Sequence, residues 1–106
     1  MQKNELNKEL ILEKLKNVLD PELNIDIVRL GLIRDVLVGE YFEEINQHEF
    51  VKILITLTSP MCPFSDYIIS EIENNILEMG CGDVIVDITF DPPWQCPDDL
   101  KLEMGL

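Results

Sequence analysis

"FVKILITLTSPMCPFSDYIISEIENNILEMGCGDVIVDITF", residues 50–90, decides the fold. It opens with the alternating, β-branched run 50–58, where Val51, Ile53, Ile55 and Leu57 share one face and predict a strand. In residues 63–79, Phe64, Ile68, Ile72, Ile76 and Met79 recur at helical spacing, which predicts a helix with those residues on its buried side. Pro63 suits the first helical position, where a missing N–H costs nothing, and "GCGD", 80–83, ends the helix. Alternation returns over 84–90, with Val84, Val86, Ile88 and Phe90 inward. A strand, a helical crossover and a second strand predict parallel pairing with right-handed connection.

The upstream sequence completes a small sheet. Residues 4–19 carry Leu6, Leu10, Ile11, Leu15 and Val18 in one stripe and predict a helix, which Pro21 ends by holding Asp20 extended. "DPELNIDIVRLG", 20–31, reads as an irregular connection, long for a compact domain and of a kind that often carries function. Residues 32–38 predict a strand that pairs antiparallel with 50–58 through a long acidic connection, 39–49. The tail from Asp91 reads as a Pro-rich loop with one helical turn. The expected fold is α/β: a single two-layer α-β-β-α-β domain over residues 1–106, with a mixed three-stranded sheet and helices on one face.

Composition narrows the function classes. The 106 residues include 21 acidic and 8 basic ones, a net charge of −13, which argues against nucleic acid as a partner. Six of the eight basic residues lie at or before Arg34, and from Ile53 onward Lys101 stands alone against ten acids. That half is a solubilising surface or a docking face for a basic partner. No apolar run reaches a membrane span, and the N-terminus is too polar for a signal peptide, so a soluble, cytoplasmic protein is expected. Cys62, Cys81 and Cys96 form no CxxC and, in a cytosolic chain, no expected disulfide.

Topology brings one of these cysteines to a site. The second strand ends beside Cys62. The parallel third strand leaves the same edge into Asp91-Pro92-Pro93-Trp94, and the antiparallel first strand begins there, after loop 20–31. Three Pro-bearing loops therefore converge around Cys62, at the carboxyl end of crossover strands where ligand sites form. Cys96 can reach this edge. Cys81 lies at the far end of the helix, about 25 Å away. A Cys62–Cys96 pair, completed by a partner chain or by carboxylates, is one metal alternative.

Cys62 sits at or beside a helix cap, where the dipole favours a thiolate and the surrounding carboxylates oppose it; the alternative is a small buried hydrophobe. Asp20 and Glu22 are either partners for the thiol or parts of a turn. Thr58 and Ser59 read as caps. Trp94 is a core or loop anchor, or, if exposed, an interface anchor. His48, the one histidine, belongs to the acidic connection and supports no triad. A thiol enzyme would need Asp20 or Glu22 as base, without a histidine partner. No nucleotide-binding motif is present.

"LDPELNIDIVRLGLI" (19–33), "TLTSPMCP" (56–63) and "FDPPW" (90–94), in this order, resemble the SufT/PaaD-like family of iron–sulfur assembly domains. The resemblance spans residues 4 to about 100. It implies an accessory factor in iron–sulfur cluster assembly or protein maturation, not an enzyme. The partners it implies are the assembly machinery or client apo-proteins, with a homodimer left open. The implied cargo is a transient iron or iron–sulfur cluster, for which a thiolate is a suitable ligand. The family's reactive cysteine maps onto Cys62, its acidic pair onto Asp20 and Glu22, and its hydroxyl pair onto Thr58 and Ser59. A metal-free adaptor, docking clients through its acidic surface and Trp94, is the alternative. Asn24 stands where the family usually has Gly, and Arg29 where it often has Asp. The acidic connection is longer than usual, and the helix after Trp94 is expected to be truncated.

Overall fold

A computed structural model describes residues 7–42, 47–59, 61 and 63–104, with side chains for all of these except 40–42, 47, 48 and 102–104. The elements in chain order are α1 (Lys8–Leu15), β1 (Leu19–Asp20), β2 (Ile25–Asp26), β3 (Ile33–Phe42), β4 (Gln47–Ile55), α2 (Ser65–Leu77), β5 (Asp83–Ile88) and α3 (Asp98–Met104). The main sheet runs β3-β4-β5, antiparallel between β3 and β4 and parallel between β4 and β5, as the crossover argument requires.

The core lies between the sheet and the helices. Ile68, Ile72 and Ile76 of α2 recur every fourth residue and are fully buried, as are Val51, Ile53 and Ile55 of β4. Each such side chain contributes about 1.5–3 kcal/mol of transfer free energy. The stripe of α1 is narrower than expected. Ile11, Leu15 and Val18 are buried, whereas Leu10 is 46% exposed, because it stands about 100° round the helix from Ile11. Asn7 caps α1, its Oδ1 accepting from Leu10 N–H at 2.9 Å, so the predicted start at residue 4 is early by about one turn; Leu6 lies outside the described residues. At the end of α2, Gly80 takes φ +92°, a left-handed conformation that glycine adopts without strain.

Other expectations need correction. The connection 20–31 is not wholly irregular: β1 and β2 pair as a miniature antiparallel hairpin. The acidic connection 39–49 is mostly strand, since β3 runs to Phe42 and β4 starts at Gln47, with only 43–46 outside the described residues. His48 is thus a strand residue paired with Tyr41. The connection's composition disguised it, because acidic residues and Gly39 lower strand propensity. Gly39 is accommodated by Phe50 on the neighbouring strand, whose ring would stand 2.4 Å from a Cβ there. Phe64, Ile88 and Phe90, expected inside, are 37%, 37% and 39% exposed, because they lie at or beyond the ends of α2 and β5, where sheet and helix no longer cover each other. The tail forms α3 rather than a single turn, anchored by the fully buried Leu100. No helix among the described residues is long and apolar enough to cross a membrane.

Candidate functional site

The predicted convergence of loops is built by backbone hydrogen bonds at the carboxyl end of β4. Thr56 N–H donates to Leu32 C=O at 2.8 Å, and Thr89 N–H donates to Ile55 C=O at 2.8 Å. These bonds continue the sheet one step past its regular strands and hold the roots of all three loops side by side.

The first loop is organised by Asp20. Its side chain is 1% exposed, and Oδ1 accepts from the backbone N–H groups of Glu22 at 2.8 Å and Leu23 at 3.3 Å. Asn24 N–H donates back to Asp20 C=O at 2.7 Å, closing a tight turn with Asn24 at φ +56°. Asparagine tolerates this left-handed backbone, so the turn survives without glycine. At least one carboxylate oxygen of Asp20 therefore does structural work, while Glu22 is exposed on the turn surface. Asp26 repeats the device, accepting from Arg29 N–H at 2.8 Å.

The second loop carries Thr58, half-buried, and Ser59, exposed. Ser59 Oγ accepts from Met61 N–H at 3.1 Å, which stabilises the turn leading to Cys62 instead of capping the helix. Helix α2 starts later than expected. Phe64 is its N-cap residue, without a side-chain capping bond, so Pro63 precedes the helix and Cys62 stands two residues before the cap in sequence. Pro60 and Cys62 lie outside the described residues.

The third loop is clasped to the first. Trp94 is half-buried, and its indole N–H donates to Leu30 C=O at 2.7 Å. Arg34 Nη2 donates to Pro92 C=O at 2.7 Å, and Pro97 Cγ lies 3.6 Å from where a Cβ on Gly31 would be. Trp94 is thus a loop anchor whose remaining surface lines a groove of 310 Å³ with Arg34, Pro92 and Pro93. Cys96 is half-buried, its thiol directed to Pro97 C=O at 3.5 Å.

Cys81 is separated from this edge, as expected. It is buried beside the opposite end of the sheet, where Gly82 N–H bonds to Glu49 C=O, and its thiol contacts Ile76 C=O at 3.7 Å. Burial pushes its pKa above the ordinary thiol value. Among the described residues no group of three or more His, Cys, Asp or Glu is arranged to hold a metal ion.

Three features of this edge escape sequence reading. Met61 is 86% exposed beside the Cys62 position, although a methionine ordinarily counts as core. Arg34 serves the third loop from a strand position, and only the free carbonyls of a Pro-rich loop hint at its role. Thr56 is fully buried with no hydrogen-bond partner for its hydroxyl among the described residues, two residues before Thr58.

A family model described as "Iron-sulfur cluster assembly protein" matches residues 8–88. A protein of Porphyromonas gingivalis named "Fe-S protein maturation auxiliary factor" is 34% identical over 90% of this chain and 88% of its own length. "Fe-S protein maturation auxiliary factor YitW" of Bacillus subtilis is 36% identical over 82% and 79%. The solved structure of conserved hypothetical protein TM0487 from Thermotoga maritima superposes with a TM-score of 0.79 at 38% identity, covering 99% of this chain and 100% of that one. The chain belongs to the iron–sulfur cluster assembly protein family.

Proposed function

We propose that this chain works as a single cytoplasmic domain, residues 1–106, that assists iron–sulfur cluster assembly and the maturation of iron–sulfur proteins without itself catalysing a reaction. Its partners are the assembly machinery or client apo-proteins, and its cargo is a transient iron or iron–sulfur cluster. Cys62 is the ligand or contact residue, and Asp20, Glu22, Thr58 and Ser59 shape the loops around it. One observation carries the reading: Trp94 to Leu30 and Thr56 to Leu32 lace three loops together at the carboxyl end of β4, where the segment containing Cys62 begins. Such a scaffold fixes the strand end from which the Cys62 segment departs, and thiolate is a ligand suited to iron–sulfur chemistry. Cys96, on the third loop, is the candidate second ligand.

The exposed Met61 and Phe64 favour a second reading, a metal-free adaptor whose loop edge is an apolar contact surface with Trp94 at its border. Anaerobic reconstitution of wild type, Cys62→Ser and Cys96→Ser, with iron and sulfide assayed per chain, separates the two. The ligand reading expects wild type to retain iron and Cys62→Ser to lose it. The adaptor reading expects no retained iron in any form, with binding to the assembly machinery intact in Cys62→Ser and lost in Met61→Ser. If Cys62→Ser matches wild type in metal content, partner binding and client maturation, Cys62 has no part in the function.

A further inference from the structure

The main sheet has a second face, turned away from α1 and α2 and separate from the loop edge. Register arranges it in rows. Leu37, Lys52 and Ile85 lie side by side across the three strands, and Asp35, Leu54 and Asp87 form the next row. The solvated face of such a sheet ordinarily carries polar side chains. Here Leu37 is 52% exposed and Leu54 half-buried in a hollow of 210 Å³ lined also by Asp35, Lys52 and Asp87, and Ile85, 46% exposed, continues the row beyond it.

Charge determines what fits this hollow. Lys52 Nζ stands 3.4 Å from Asp87 Oδ2, so these two charges compensate each other. Asp35 Oδ1 accepts only from the adjacent Val36 N–H, and no cation reaches it among the described residues. The face is therefore apolar with a surplus carboxylate. A second copy of the chain is a poor occupant, since each copy brings a net charge of −13 and the same surplus carboxylate. The strands span about 10 Å and successive rows stand about 7 Å apart, which suits two turns of a helix about 10 Å across.

We propose that this face docks a basic amphipathic segment of another protein. Aliphatic side chains of the segment pack on Leu37, Leu54 and Ile85, and an Arg or Lys pairs with Asp35.

The test uses the full chain and three synthetic 14-residue peptides: a leucine-striped helix flanked by Arg, the same stripe flanked by Glu, and a scrambled Arg version. Calorimetry measures affinity, and amide NMR shifts locate the contact. The Arg-flanked peptide is expected to bind, shifting the amides of Leu37, Leu54 and Ile85. Leu37→Ser/Ile85→Ser is expected to weaken it at least tenfold. Asp35→Asn is expected to weaken it about threefold and flatten its salt dependence. Leu77→Ser, on α2 at a comparable 47% exposure, is expected to bind as wild type does. Failure of the Arg-flanked peptide to bind, equal binding of the Glu-flanked or scrambled peptide, shifts mapping to α2 or the loop edge, or an equal loss in Leu77→Ser overturns the proposal. So does a dimer in sedimentation that Leu37→Ser/Ile85→Ser dissociates, because a second copy is then the occupant.

Discussion

The clasp between Trp94 and Leu30 offers a direct measure of how firmly the loop edge is held. Trp94→Phe keeps an aromatic ring in the loop and deletes the indole donor, so the 2.7 Å bond to Leu30 C=O is lost. A net hydrogen bond is worth about 0.5–1.5 kcal/mol, and the abandoned carbonyl belongs to Leu30, which has no exposed surface, so the loss falls at the upper end of that range. The expected loss is about 1.5 kcal/mol, which for a domain of this size lowers Tm by about 7 °C. Trp94→Ala removes the ring as well. A fully buried ring costs about 3–5 kcal/mol on such truncation, so this half-buried one should cost about 2–3 kcal/mol. Trp94 is the only tryptophan, so urea unfolding is followed by far-UV circular dichroism instead of fluorescence. Hydrogen exchange supplies the local readout. The amides of Leu32 and Thr56, bonded to Ile27 and Leu32 carbonyls, should lose protection in Trp94→Phe before amides of α2 do. If Trp94→Phe is within about 0.3 kcal/mol of wild type and protection of Leu32 is unchanged, the bond contributes nothing and the loops are held by packing alone.

Two other perturbations probe groups beneath the surface. Asp20→Ala leaves the Glu22 and Leu23 N–H groups without their acceptor and should cost about 2 kcal/mol in urea unfolding, whereas Asp20→Asn retains an acceptor oxygen and should cost under about 1 kcal/mol. A stable Asp20→Asn that fails to support client maturation would show that the carboxylate charge, beyond its turn-holding oxygen, is needed. Burial raises the Cys81 pKa, so the folded state holds the thiol proton more tightly than the unfolded state does. That contribution is complete below the unfolded thiol value of about 8.5 and is lost as pH rises through the folded value. Urea midpoints measured upward from about pH 8 should therefore decline, and Cys81→Ala should reduce the decline; an identical slope in both proteins would exclude this thiol as its source.

Most of the fold is legible in the sequence because its core residues are also its periodic ones. Ile68, Ile72 and Ile76 announce α2, and Val51, Ile53 and Ile55 announce β4. Once those elements are known, chain direction alone places the three loops at one edge. What periodicity misses is where elements stop. Phe64 and Phe90 continue the apolar pattern past the cover that would bury them, and Leu10 sits just outside the arc that α1 buries. The miniature β1–β2 hairpin escapes because its strands have two residues each, too few for any pattern to register. At the candidate site, residue types reveal Asp20 and Trp94 but not their bonds. The sequence leaves open whether Asp20 meets a thiol or its own turn, and the N–H groups of Glu22 and Leu23 show that it at least does the latter.

The lacing of the loop edge also bears on when that edge comes into existence. The bond from Trp94 to Leu30 spans 64 residues of sequence, and that from Arg34 to Pro92 spans 58. Chain closure over such separations costs entropy before any contact rewards it, so these bonds form late, after the local β3–β4 hairpin and the helices. A chain still awaiting the parallel pairing of β5 with β4 has the hairpin and its Thr56–Leu32 bond but lacks the clasp of the third loop. A partner that contacts all three loops thereby recognises completion of folding, because an unfinished chain presents the edge without its third loop.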